Sequence, residues 1–440
     1  EFGRQYAMQR KREMAADLNS LSATEISSGV ASGSFTAEAV TQGCLDRIAT
    51  REDAVMAWEF IDPDLALAQA RAVDATADKG LLAGVPVGVK DIIDTRDMPT
   101  GMGSPIYDGY HPQTDASCVA RLRAAGAVIL GKTVTCEFAG LTPRKTANPH
   151  DPARTPGGSS SGSCAAVADN MVPVALGTQT GGSVLRPSSY CGIVGFKPSF
   201  DTFSLKGVFP AAESLDTLGL HARTVDDVEL VTSALLAKDH QPVPDMPRPP
   251  VVGLCKTWMW DDAQAETRQA VEKAADAMNA AGATIRDFEL PEEFEWLADV
   301  RGRINARERA VAMADEWAND KDRLSEQLQN TLQDGIDMPF EDYLDAMYLM
   351  ETCRARMNQT FEGCDVLLTP VVDGEAPVGL TDTGSPRFQA LWTMLHVPTI
   401  TLPVHTGPSG LPVGIQLVAP YRADRALMAI SHWTLDAIGA

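Results

Sequence analysis

Residues Pro156–Pro187 read P-G-G-S-S-S-G-S-C-A-A-V-A-D-N-M-V-P-V-A-L-G-T-Q-T-G-G-S-V-L-R-P. Glycine and serine crowd both ends, and the apolar, alanine-rich segment Ala165–Leu176 joins them. Glycine beside hydroxyls brings backbone close to a partner and tolerates unusual φ/ψ. A flexible Gly/Ser linker has a similar composition, but Ala165–Leu176 is too apolar to be left in water. Two serine-bearing turns flanking a buried segment predict the floor of a catalytic site.

The two turns differ in what precedes them. Gly158-Ser159-Ser160-Ser161-Gly162 fits the G-x-S-x-G nucleophile elbow, which must follow a buried strand. Here it follows H-D-P-A-R-T-P (150–156), which cannot be a central strand. A Walker A loop is excluded because Ser163, not Lys, follows Gly162. The second turn, Thr180-Gly181-Gly182-Ser183, comes directly after Val172–Thr178, a plausible strand. Two glycines before a serine let successive N–H groups face one point, as an oxyanion hole requires. None of the seven histidines lies in a recognisable triad context; His221 and His396 read as ordinary core or surface residues. Lys90, at the end of the apolar stretch L-A-G-V-P-V-G-V-K-D-I-I (82–93), sits where the pattern expects an inward side chain. Burial would lower its pKa toward the range of a general base. Cys136-Glu137, with Lys132 nearby, admits a Cys/Glu/Lys reading, but the spacing is tight and a buried cysteine beside a structural glutamate fits better.

Outward from this stretch, strands are predicted at 55–61, 82–93, 128–131, 172–178, in G-I-V-G-F-K-P (192–198), and at 251–254, 284–288, 365–371, 399–404 and 413–418. Helices are predicted after Thr36 as a possible N-cap, after Asp62-Pro63 to about Lys79, and at 114–125, 226–236 and 265–281, with a last one ending at Ala440. Thr142–Thr155 reads as a polar loop and Pro242–Pro250 as a connector. Residues 292–361 are acidic and helical without strands. This alternation predicts a parallel or mixed sheet covered on both faces.

The chain has 440 residues, 44% hydrophobic and 22% charged, with net charge −22. That balance belongs to a globular protein and argues against direct contact with nucleic acid or an anionic membrane. No apolar run reaches transmembrane length, and no secretory signal is evident. The eight cysteines are scattered without zinc-ligand spacing, so no metal is expected, and a cytoplasmic location is expected. Glu1–Ala7 reads as an added leader ahead of Met8 or Met14, giving an extension at 1–13 and one domain over 14–440.

With these residues in view, a resemblance becomes specific. G-V-P-V-G-V-K-D (84–91), G-G-S-S-S-G-S-C-A-A-V-A (157–168), G-T-Q-T-G-G-S-V-L-R-P (177–187), C-G-I-V-G-F-K-P-S (191–199), S-L-D-T-L-G-L-H-A-R-T-V-D-D (214–227) and L-P-V-G-I-Q-L-V-A-P (411–420) are similar to the amidase signature family, most of all its shorter bacterial members of the malonamidase kind. The likeness runs from about residue 14 to the C-terminus and is weakest over 240–360. It implies the amidase signature fold, α/β with a large mixed β-sheet between layers of α-helices. The core motifs would span 84–227, and about 285–360 would form a helical cover over the substrate.

Carried over by position, the resemblance makes Ser183 the nucleophile, Ser159 the bridging serine after a cis Gly158–Ser159 peptide, and Lys90 the base. The 24-residue spacing between Ser159 and Ser183 selects Ser159 over Ser160 and Ser161. Thr180, Gly181, Gly182 and Ser183 would form the oxyanion hole, with no cofactor required. Two departures bear on substrate. Many members carry an acidic residue where Gln179 stands and an arginine where Leu185 stands; here the arginine comes one place later, as Arg186. In malonamidase-like members an arginine there binds a substrate carboxylate, so Arg186, beside Gly158, could take an acidic amide bidentately or serve the fold alone. The expected partner is a small amide, with a homodimer as the default assembly. The alternatives are the glutaminase component of a tRNA-dependent amidotransferase, and a ligand-binding scaffold without catalysis.

Overall fold

A computed structural model describes residues 18–439 of the chain. The extension anticipated at 1–13 lies outside the described residues. Eleven strands form one mixed sheet: β1 (Trp58–Ile61), β2 (Pro86–Lys90), β3 (Val128–Thr133), β4 (Val174–Gln179), β5 (Val194–Lys197), β6 (Thr217–Ala222), β7 (Val251–Leu254), β8 (Thr284–Asp287), β9 (Val366–Pro370), β10 (Thr399–Thr406) and β11 (Pro412–Val418). Their order across the sheet is β1-β3-β2-β4-β6-β5-β10-β11-β9-β7-β8. β3, β2 and β4 run parallel, and so do β9, β7 and β8. The strands between these groups pair antiparallel.

Every residue of β2, β3, β4 and β6 is buried. Side chains alternate between faces along a strand, so complete burial requires cover on both faces. The sheet therefore lies between helical layers, as the sequence predicts. Local chemistry starts several of these helices. Thr36 accepts a hydrogen bond from Ala39 N at the head of helix Ala37–Val55, and Asp62 does the same for Leu65 N with Pro63 in the first turn. Thr36→Ala is expected to lower the unfolding free energy by about 1 kcal/mol in a denaturant melt, since it orphans one N–H of the first turn.

Three differences from the sequence reading have physical causes. β6 carries a glycine and a histidine, so propensity alone gives no strand there, yet it is paired on both sides at the centre of the sheet. Gly219 is needed because a Cβ would stand 2.7 Å from Val184 Cγ2 and 2.8 Å from Phe196 O. Within the opening stretch, Ser161–Ala168 and Leu185–Cys191 are helices although serine, glycine and proline disfavour helix interiors. Packing outweighs propensity, for almost every residue of both is buried. Finally, Arg387–Met394 is a helix to which the sequence reading assigned nothing.

Residues 297–360 form four helices: Leu297–Ala312, Ala314–Asp320, Glu326–Asp337 and Phe340–Thr360. The first sets Leu297, Val300 and Ile304 into an apolar cluster with Ala346, Met350 and Trp392. Its Arg301, Asn305 and Arg309, spaced by four, share an adjacent face. That face looks onto the site described next.

Candidate active site

β2 and β4 are parallel neighbours, so their carboxyl ends open on the same edge of the sheet. In α/β sheets that edge is where ligands gather. Lys90 ends β2 and is 0% exposed. Its Nζ hydrogen-bonds Ser159 Oγ at 2.9 Å and Thr178 Oγ1, near the end of β4, at 2.8 Å. Burial lowers its pKa to about 7; Cys136 and Asp216 oppose that shift, and Arg309 adds to it. A lysine so placed is in part neutral at physiological pH, with a lone pair for a hydroxyl proton.

The serines of the first turn have separate tasks. Ser160 Oγ lies between Thr178 N and Thr178 O, at 3.3 and 3.4 Å. Ser161 Oγ donates to Val134 O at 3.4 Å, and Ser163 Oγ donates to Leu176 O at 2.8 Å. These bonds pin the turn and its helix against β4 and leave Ser159 facing Lys90. The Gly158–Ser159 peptide is cis. Cys136 N donates to Ser159 O at 3.1 Å. An added Cβ at Gly158 would stand 2.8 Å from both Cys136 Sγ and Thr383 Cγ2. Gly158→Ala is therefore expected to displace Ser159 from Lys90 and lower kcat/KM for an amide by about a hundredfold, the cost of an ångström of misplacement. Steady-state kinetics on the folded variant check this.

The second turn follows β4 directly. Thr180 Oγ1 donates to Asp216 at 2.5 Å, and Asp216 also accepts from Ala211 N and Ala212 N. Gln179 Oε1 accepts from Val184 N and Leu185 N at 2.9 and 3.1 Å, and its Nε2 donates to Thr393 Oγ1. The amide thus closes the turn from beneath, where neutral donors and acceptors suffice. The N–H groups of Gly181, Gly182 and Ser183 have no acceptor among the described residues. The Ser183 hydroxyl likewise has no hydrogen-bond partner among them. Thr180, Gly181, Gly182 and Ser183 line a cavity of about 120 Å³ with Glu137, Arg301, Asn305 and Arg309.

Arg186 is 1% exposed. Its Nη2 donates to Gly158 O at 2.6 Å and Thr383 Oγ1 at 3.2 Å, while Nε and Nη1 have no hydrogen-bond partner among the described residues. It is absent from the lining of the cavity that holds Ser183. The other readings resolve simply. Lys132 pairs with Asp91 at 3.0 Å, and the Glu137 carboxylate accepts from Ser325 N. The buried His221 ring, its pKa pushed down to about 3 by burial, sits on Ser188 Oγ at 2.8 Å. His396 Nε2 meets Ser214 O, and its ring stacks on Phe200.

The sequence reading passed over Thr178, Asp216, Arg301, Asn305 and Arg309. Asp216 lies within S-L-D-T-L-G-L (214–220), and the spacing of Arg301, Asn305 and Arg309 by four was legible as one helix face. Which way that face turns was not.

The Amidase family model matches residues 39–428. The A chain of glutamyl-tRNA(Gln) amidotransferase from Anaeromyxobacter sp. (strain K) is 34% identical, covering 94% of this chain and 96% of that one. A crystal structure of an amidase is 30% identical with TM-score 0.87, covering 95% and 99% of the two chains. A chain from a vestigial protein complex bearing on the origins of an s-triazine catabolic enzyme is 28% identical with TM-score 0.86 and the same coverage. No described helix is long and apolar enough to cross a membrane. The motifs, the sheet and these likenesses agree: the chain belongs to the amidase signature family and is an amide-hydrolysing enzyme.

Proposed function

We propose that the enzyme cleaves a carboxylic amide to acid plus ammonia or amine through Ser183, Ser159 and Lys90, by way of an acyl-enzyme. The observation that carries this reading is Lys90, fully buried, hydrogen-bonded to Ser159 and held near neutrality beside the Thr180–Ser183 turn. Neutral Lys90 keeps one N–H on Thr178 and takes the Ser159 proton on its lone pair. Ser159 Oγ takes the Ser183 proton as Ser183 Oγ attacks the amide carbon. The free N–H groups of Gly181, Gly182 and Ser183 receive the developing oxyanion. The relay then returns the proton to the departing nitrogen, which cannot leave as an anion. Water, losing its proton to the same relay, releases the acid and restores Ser183.

In this reading Arg186 acts as a strut. Its Nη2 on Gly158 O fixes the peptide that presents Ser159, and its buried position favours that role over substrate binding. All eight cysteines are unpaired, which supports the reducing cytoplasm as the location.

Mass spectrometry of the protein quenched during turnover of a slow amide tests the mechanism. An acyl adduct is expected on the peptide carrying Ser183 and is lost in Ser183→Ala. Turnover with the acyl group on another residue would overturn the assignment. The relatives named as A chains of glutamyl-tRNA(Gln) amidotransferase favour a second reading, in which this chain is the glutaminase of a larger assembly. It predicts glutamine as the preferred amide and dependence on further chains. Robust hydrolysis of other amides by the isolated protein, with glutamine a poor substrate, would exclude it.

A further inference from the structure

The cavity over Ser183 carries a positive charge that the protein itself does not answer. Helix Leu297–Ala312 lends it Arg301, Asn305 and Arg309. Arg309 is accounted for: its Nη1 donates to Phe138 O at 2.7 Å, and Asp216 and Glu137 act on it as counter-charges. Arg301 is not. Among the described residues it has no ion pair, hydrogen bond or ring contact. The charge that acts on it is another guanidinium, Arg186. The Asn305 side chain, one turn along, also has no hydrogen-bond partner among the described residues. An ideal Cβ on Gly181 would lie 3.4 Å from Arg301 Nη1, so the guanidinium stands over the turn two residues from Ser183.

We propose that Arg301, assisted by Asn305, binds a carboxylate borne by the substrate, so that the enzyme acts on half-amides of short dicarboxylic acids. This rests on the amide-hydrolysis reading above and adds the substrate class to it. An unpaired guanidinium in a cavity wall, repelled by a second one, is stabilised by an incoming anion, and its planar fork suits a carboxylate. Its place over Gly181 requires a short spacer between that carboxylate and the scissile carbonyl. A longer acid would carry its charge past Arg301. The acidic-substrate expectation attached to Arg186 therefore moves to a residue on the helical cover.

Hydrolysis of malonamate and succinamate is compared with that of propionamide and butyramide, in the parent, Arg301→Ala and Arg301→Lys. The parent is expected to prefer the half-amides. Arg301→Ala should lower the ratio of kcat/KM for half-amide over neutral amide by about a hundredfold, the span of a hydrogen-bonded charge pair. Arg301→Lys should restore part of it. A parent without that preference, or a ratio that Arg301→Ala leaves within about twofold of the parent's, overturns the proposal. Calorimetric binding of succinate to the parent and to Arg301→Ala separates the two readings. If no amide is turned over but succinate binds the parent and not the variant, the amidase mechanism fails and the carboxylate site stands. If amides are hydrolysed by way of Ser183 and succinate binds both proteins alike, the carboxylate site fails and the mechanism stands.

Discussion

Ser183→Ala is expected to lower kcat/KM for amide hydrolysis by about 10⁴–10⁶-fold, the range found when a serine nucleophile is removed. The change should be chemical. The Ser183 hydroxyl has no hydrogen-bond partner among the described residues and faces a cavity, so its removal breaks no contact that holds the fold. Thermal unfolding of the variant should match the parent within about 0.5 kcal/mol, as for substitutions away from packed or bonded positions. The turn would also be preserved, because Thr180 is tied to Asp216 and Gln179 holds Val184 N and Leu185 N. A folded Ser183→Ala protein that turns over amides at a tenth of the parent rate would remove the nucleophile assignment.

Lys90→Met should lose about 10²–10⁴-fold, the contribution of a positioned general base. Methionine fills much of the lysine's volume without its amine, so the buried site stays packed while the proton acceptor disappears. The fold should survive, since the substitution also removes a group that burial penalises when charged. In the parent, the base works only when deprotonated. Below its pKa of about 7 the neutral fraction falls tenfold per pH unit, so kcat/KM should rise with pH up to about 7 and level off above. In Lys90→Met that limb should vanish along with most of the rate. A parent profile flat from about pH 5 to 8 would mean that Lys90 is not the titrating base.

The opening stretch showed its purpose but not its shape. Its two glycine-serine turns announced a catalytic floor because linkers do not bury alanine and valine. The distinct positions of Ser159, Ser160 and Ser161 needed the sheet. Ser160 meets the β4 backbone and Ser161 meets Val134 O, and each bond is set by where the turn docks. The helices Ser161–Ala168 and Leu185–Cys191 were hidden for the same reason, since their composition opposes the conformation that burial enforces.

Sequence by itself determined what local pattern controls: the alternation of strands and helices, the caps at Thr36 and Asp62, and an inward lysine ending an apolar strand. It also carried the family likeness in the ordered motifs. The tertiary structure decided what depends on contacts distant in sequence. It made β6 a central strand, brought Lys90 to Ser159 and Thr178, and turned Arg186 onto Gly158 O. It also left Arg301 over the turn without a counter-charge. The physical reason is that hydrophobic period and capping act over a few residues, whereas burial, register and charge pairing exist only once the chain has closed on itself.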